Sequence, residues 1–302
     1  MIKQHYSIAI LITCHNRKEK TIKGLKSIIK SADNCTKADL ELTFFVTIDG
    51  CTDGTLEALE TTFYKEFIHF IMADGNAFWA GGMRLAWDFA SKYRNDWDFY
   101  LLFNDDTQME DNCFDILLDT YHYSLDKYGK AGVYAGLICS NDDNRIITYG
   151  GKKYKNRFWG RAINVIPKGS SPQECLLTNA NILLVSTDVY RKLGILDNRF
   201  KHSCADWDYG VKAARYGFPV LVTSQVCGKC DNDHRTDDQL REAVLSMTIC
   251  ERRSFFGHPL RSTSDILLFM KKNYPLRYPL VLFARFLNIY CPRIYYHIIK
   301  IR

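Results

Sequence analysis

The chain has 302 residues, 47% of them hydrophobic and 25% charged, which is the balance of a folded globular protein and not of a disordered one. Only 7 prolines and 18 glycines occur, so collagen-like and linker-dominated chains are excluded. Lys and Arg number 40 against 34 Asp and Glu, a formal net charge of +6; so mild an excess does not make nucleic acid an expected partner.

The run 7–13 (SIAILIT) is apolar and rich in Ile, as in a strand buried on both faces. No small-residue cleavage site follows it, so a strand is expected there and not a signal peptide. Ile22, Leu25, Ile28 and Ile29 then recur at helical spacing over 18–31. Further strands are predicted at 41–48, 67–72, 98–103 and 132–138, with helices at 54–62, 81–92 and 110–127 between them. This alternation predicts an α/β fold whose mostly parallel central sheet is flanked by helices on both sides. Residues 140–180 are rich in Asn, Gly, Lys and Ser and suggest hairpins and loops. A strand at 180–186, a helix at 206–217 ending on Gly217 and a strand at 218–223 follow; from about 236 the pattern is wholly helical. No run of 18 apolar residues occurs, so no transmembrane helix is expected.

The 11 cysteines, scattered from Cys14 to Cys291, suit reduced thiols in a cytoplasm better than a disulfide framework. Cys227 and Cys230 have the spacing of half a zinc site that His234 and Cys204 can in principle complete; two reduced thiols in a loop are the plainer expectation.

In open α/β sheets ligands bind beyond the carboxyl ends of the strands. Polar residues collect there four times: Thr13, His15, Asn16 and Arg17 after the first strand, Asp49, Asp53 and Thr55 after the second, Asp74 and Asn76 leading to Gly81 and Gly82 after the third, and Asn104-Asp105-Asp106 after the fourth. Each of the first clusters is also good turn or capping chemistry. Asp105 and Asp106 are harder to dismiss. Adjacent carboxylates repel, no Lys or Arg stands beside them in the sequence, and hard cations such as Mg²⁺ or Mn²⁺ use such groups while sharing diphosphate oxygens.

The runs IAILITCHNR, VTIDGCTDGT, GNAFWAGG and YLLFNDD, continued by TNANILLVSTDVYRKLGILDNRF and ADWDYGVKAARYG, resemble the family 2 glycosyltransferases of GT-A fold over roughly 6–235. The bacterial rhamnosyltransferase-like branch is the nearest in pattern. The resemblance implies a catalytic domain over 1–235, with a nucleotide-binding half to 130 and an acceptor-binding half from 131, and a helical extension over 236–302. It implies that Thr13, His15, Asn16, Arg17, Asp49, Asp53, Asn76, Gly82, Arg84, Asn104 and Asp105 surround a nucleotide-diphospho-sugar donor. Asp106, with His234 from a late loop, would hold Mg²⁺ or Mn²⁺. Asp206 would be the catalytic base, with Asp208 as the fallback, and helix capping the competing role for Asp206. Three positions depart from the pattern: Asn104 stands for the first Asp of the metal motif, Ala205 for a Glu, and Arg84 for an Asn.

The implied reaction is an inverting transfer to a glycan or lipid-linked acceptor in surface polysaccharide synthesis. A departing diphosphate needs a Lewis acid and the acceptor hydroxyl needs a base. Trp207, between two acidic residues, suits stacking on a sugar. An oxidoreductase or nucleotidyltransferase would need a glycine-rich loop after the first strand, which TCHNRK lacks. A non-catalytic nucleotide-sugar or glycan-binding protein of the same fold is the alternative from another class.

From Ile266 onward there are seven Lys or Arg and no Asp or Glu, interleaved with aromatic and aliphatic residues. Such a segment fits an anionic membrane surface on the cytoplasmic face, or packing on the catalytic domain or in a homodimer.

Overall fold

In the computed structural model, which describes residues 3–63, 67–155, 162–230, 237–261 and 263–300, the apolar runs become strands and the 3.6-period segments become helices. The chain order begins β1 (Gln4–Cys14), α1 (Lys18–Asp33), β2 (Ala38–Asp49), α2 (Thr55–Thr62), β3 (Ile68–Ala73), α3 (Phe78–Tyr93) and β4 (Phe99–Asn104). Then come β5 (Gln108–Met109), α4 (Cys113–Tyr128), β6 (Val133–Cys139), β7 (Ile147–Tyr149), β8 (Gly151–Tyr154), β9 (Ala162–Asn164), β10 (Gln173–Glu174) and β11 (Leu177–Thr178). Next are β12 (Ile182–Ser186), α5 (Thr187–Leu193), α6 (Ala205–Arg215) and β13 (Val220–Lys229). The helices α7 (Asp237–Ser246), α8 (Ile249–Gly257), α9 (Thr263–Asn273), α10 (Tyr278–Tyr290) and α11 (Pro292–Lys300) end it.

Eight strands run in the order β10-β13-β6-β12-β4-β1-β2-β3, with β5 paired to β13 and β7 to β6, while β11-β8-β9 form a separate small sheet. β1 pairs in parallel with β2 and β4, and β2 with β3. β12 lies antiparallel between β4 and β6, so its first residues adjoin the end of β4. β1 explains its own continuous apolar run: Ile8, Ile10 and Ile12 join the core layer of α1 and α4, and Ala9 and Leu11 the layer of α3 and α6.

Three features add to the sequence reading or correct it. TDVYRKL forms α5, a helix too short for its sequence to show a period. The helical region from 236 packs in part on the α/β core: Phe269 and Met270 of α9 are buried in the same layer as Trp87 and Tyr209. Asp265, 2% exposed, accepts the N–H groups of Lys201, His202 and Ser203 at 3.2, 2.9 and 2.9 Å, which fastens α9 to the loop before α6. Lastly, Cys227 and Cys230 belong to one core layer and Cys204 to the other, across the sheet, so Cys204 cannot complete their shell. All the cysteines are free thiols. No helix among the described residues is long and apolar enough to cross a membrane.

Candidate functional site

The four strand tips converge because β1, β2, β3 and β4 are parallel neighbours, and the loops after them are cross-linked by their own polar side chains. Asn16, at a positive φ of 51° that Asn tolerates, accepts the Thr52 N–H on its Oδ1 at 2.7 Å. Nδ1 of His15 lies 2.5 Å from the Asp49 carbonyl oxygen. Asp53 accepts the Lys18 and Thr55 N–H groups, each at 3.1 Å, and so serves the starts of both α1 and α2. The Thr55 hydroxyl donates to it as well, and these hydrogen bonds hold its carboxyl below the usual range.

Asp49 is 3% exposed, and its carboxylate receives the N–H groups of Gly75, Ala77 and Phe78 at 2.9, 3.2 and 2.9 Å. Its place is under the loop that leads into α3. Asn76 sits in that loop, exposed, with its N–H donated to Asp74. Gly82 lets α3 approach β1: a Cβ there would lie 2.1 Å from Oγ1 of Thr13, and Thr47 donates to the Gly82 carbonyl at 2.8 Å. Arg84 points elsewhere, donating to the carbonyls of Asp197 and Phe200 at 3.2 and 2.7 Å. It positions the loop before α6.

At the end of β4, Asn104 accepts the Trp79 indole N–H at 2.7 Å, and its own N–H donates to the Asn181 carbonyl at 3.2 Å. Asp105 and Asp106 do have a neutralising cation. One guanidinium nitrogen of Arg17 donates to Asp105 at 3.1 Å and to Asp106 at 2.7 Å. The sequence hid it because the partners are 88 and 89 positions apart. Asp105 is only 6% exposed; burial, which Arg17 opposes and Asp106 reinforces, pushes its carboxyl up to about 7. The Cys230 thiol donates to Asp106 at 3.6 Å. Among the described residues no group of three His, Cys, Asp or Glu side chains gathers into a metal cage. Two adjacent carboxylates still fit a Mg²⁺- or Mn²⁺-type ion whose other ligands are phosphate oxygens and water. His234 lies outside the described residues.

The second part of the site adjoins the first through β12. Cys204, at a positive φ of 61°, turns the chain into α6, and Asp206 follows in the first turn. Its carboxylate accepts the Ala180 N–H at 3.2 Å and the Trp207 N–H at 2.9 Å. Burial pushes this carboxyl up to about 6, against the pull of those N–H groups and of the Lys152 ammonium. Nζ of Lys152 on β8 lies 5.6 Å from the centre of the Trp207 ring, and its burial lowers the ammonium pKa. Trp207 also meets Phe269 of α9 edge to face, centres 5.9 Å apart. Asp208 does not share this environment: it binds Lys272 at 2.6 Å and Asn273 at 2.7 Å, in a bridge to α9.

Lys152, Trp79, Ala180 and Asn181 are the residues that the sequence reading missed. Their signal is spatial: Lys152 stands among the loop-like residues of 140–180, and Ala180 and Asn181, just before β12, matter through backbone groups, which carry no residue type.

No protein-family model matches the chain, and no curated protein matches it. Solved structures do. A mannosyltransferase from Pyrobaculum calidifontis, in complex with GDP-Man and Mn²⁺, is 12% identical with a TM-score of 0.53, over 93% of this chain and 69% of that one. Residues 1–349 of S. aureus TarS in complex with UDP are 14% identical with a TM-score of 0.51, over 94% and 88%. GalNAc-T7 with UDP, GalNAc and Mn²⁺ is 10% identical with a TM-score of 0.54, over 79% of this chain and 48% of that one. At such identities the likeness is one of architecture: the chain has the GT-A glycosyltransferase fold, an α/β fold with a mostly parallel central sheet between helices.

Proposed function

We propose that the protein is an inverting glycosyltransferase that moves a sugar from a nucleotide-diphospho-sugar to a glycan or lipid-linked acceptor, with Mg²⁺ or Mn²⁺, in surface polysaccharide synthesis. The observation that carries the reading is Asp206: a single buried carboxylate, pushed up to about 6, at the same sheet edge as the Arg17–Asp105–Asp106 cluster. The solved neighbours of the fold that hold GDP-Man or UDP, two of them with Mn²⁺, support it. The rhamnosyltransferase-like branch rests on the sequence motifs alone.

In this reading the donor diphosphate lies over the tips of β1 and β4. Asp106, with Asp105 behind it, would hold the divalent ion, and the guanidinium of Arg17 would turn from the carboxylates to the phosphates. The ion, when bound, neutralises charge that develops on the departing diphosphate. Thr13, His15, Asn16 and Asp53 shape the wall of the nucleotide pocket, and Asp49 holds the 75–78 loop and Asn76 against it. The acceptor sugar stacks on Trp207, and Asp206 takes the proton of its hydroxyl as that oxygen bonds to the anomeric carbon and the carbon–phosphate oxygen bond breaks. One displacement with one base inverts the centre. Asp208, committed to Lys272 and Asn273, is a structural anchor, and Gly82 and Arg84 act by packing.

The test is release of nucleoside diphosphate from a panel of nucleotide-sugars with Mn²⁺, for the wild type and Asp206→Asn. Turnover that the variant loses supports the assignment. Binding of a nucleotide-sugar with no release by the wild type would make the chain a binding protein of the same fold.

A further inference from the structure

α10 wears its apolar face outward. Leu276, just before it, is 80% exposed, and Leu280, Leu282, Phe283, Phe286 and Tyr290 lie between 41% and 59%. The inward side of the same helix holds Asn288, which is buried, with Val281 packed on the core layer. A helix packed on a water-facing domain has the opposite arrangement. α11 packs beside α10 and extends the surface with Ile294 and Ile298, one turn apart and 53% and 42% exposed, next to the exposed Arg293 and His297. An apolar patch of this extent marks an interaction surface.

Charge identifies the occupant. Beyond Asp265 the sequence has seven Lys or Arg and no acidic residue. Lys272 among these is engaged by carboxylates, Asp197 at 2.8 Å and Asp208 at 2.6 Å. A second copy would bring the same basic patch against itself in a two-fold contact, so the surface suits an anionic partner. Neither helix is long enough to cross a bilayer, while outward Phe and Leu with Tyr and Arg or Lys at the margins match a helix lying at headgroup depth. We propose that the α10–α11 hairpin docks the protein flat on an anionic lipid bilayer. α9 is no part of this surface, since its apolar residues Phe269 and Met270 are buried against the α/β core.

The full chain is to be sedimented with phosphatidylcholine vesicles, with and without about one-third phosphatidylglycerol. Partitioning should favour the anionic vesicles and fall as salt rises. The double variant Phe283→Ser/Phe286→Ser alters only exposed side chains, so its circular dichroism and its donor turnover in lipid-free buffer should match the wild type. Its partitioning should drop at least about tenfold. Equal partitioning of wild type and double variant, or none onto anionic vesicles, would overturn the proposal. So would lipid-independent self-association that the double variant abolishes, which would assign the face to a second copy.

Discussion

Around the tips of β1 and β2 the polar side chains bind loop backbone: Asn16 holds Thr52, Asp53 holds Lys18 and Thr55, and Asp49 holds 75–78. At the start of α6 the arrangement is sparser, with one carboxylate held by two N–H groups among aromatic rings and a half-buried lysine. The first region is rigid and redundant, so a single polar substitution there leaves other ties in place. The second concentrates its chemistry in one group whose charge depends on few neighbours. Substitutions should therefore act mainly on shape in the first region and on rate in the second.

The largest expected effect is at Asp206. Asp206→Asn keeps the side-chain shape and one of the two accepted N–H bonds but removes the base, and turnover should fall by about two to four orders of magnitude with donor affinity unchanged. Near-normal turnover would place the base elsewhere and erase the contrast. Asp106→Ala should weaken Mn²⁺-dependent nucleoside diphosphate binding by roughly ten- to a hundredfold in calorimetry, with the melting temperature little changed. An unchanged affinity would remove the metal from the β4 tip. Gly82→Ala tests the packed side: the added methyl meets Thr13, and denaturant unfolding should show a loss of about 1–3 kcal/mol.

The smallest effect sharpens the comparison most. A base must be ionised, so turnover should rise with pH through about 6, the value to which burial lifts Asp206, and level off above it. Lys152→Met removes a cation that favours the ionised form, so the midpoint should move upward by up to about one unit. A midpoint that stays put would confine Lys152 to packing. The stability linkage has the opposite sign: with its folded pKa above the ordinary value of about 4, Asp206 favours the fold in its neutral form, and this contribution is lost as pH climbs from about 4 through 6.

The strand tips were legible in the sequence because buried parallel strands read as unbroken apolar runs, and the polar residues after each run share one edge by the rules of the fold. The expectation of a largely parallel sheet agrees with the structure, though nothing in residues 180–186 foretold that β12 runs antiparallel. What the sequence could not display is pairing across distance. Arg17 finds Asp105 and Asp106, Lys152 reaches the surroundings of Asp206, and Lys272 secures Asp208, all through tertiary closure. Asp206 and Asp208 looked interchangeable as neighbours in a motif. Two positions along a helix turn a side chain by about 200°, so one faces the β12 edge and the other α9.

β12 begins immediately after Ala180 and Asn181, whose backbone groups hold Asp206 on one side and Asn104 on the other. The proposed base and the strand that leads to Asp105 and Asp106 are thus hung on two consecutive residues, whose Cα atoms stand about 3.8 Å apart in any trans chain. In the proposed reading, the spacing between the proton acceptor and the end of β4 is held by two hydrogen bonds to one short stretch of backbone. A motion that swung the two parts of the site apart would have to break these ties. In the proposed reading, a graft that exchanges the loops 75–78 and 197–204 for others would alter the rim of the site while leaving this shared backbone anchor in place.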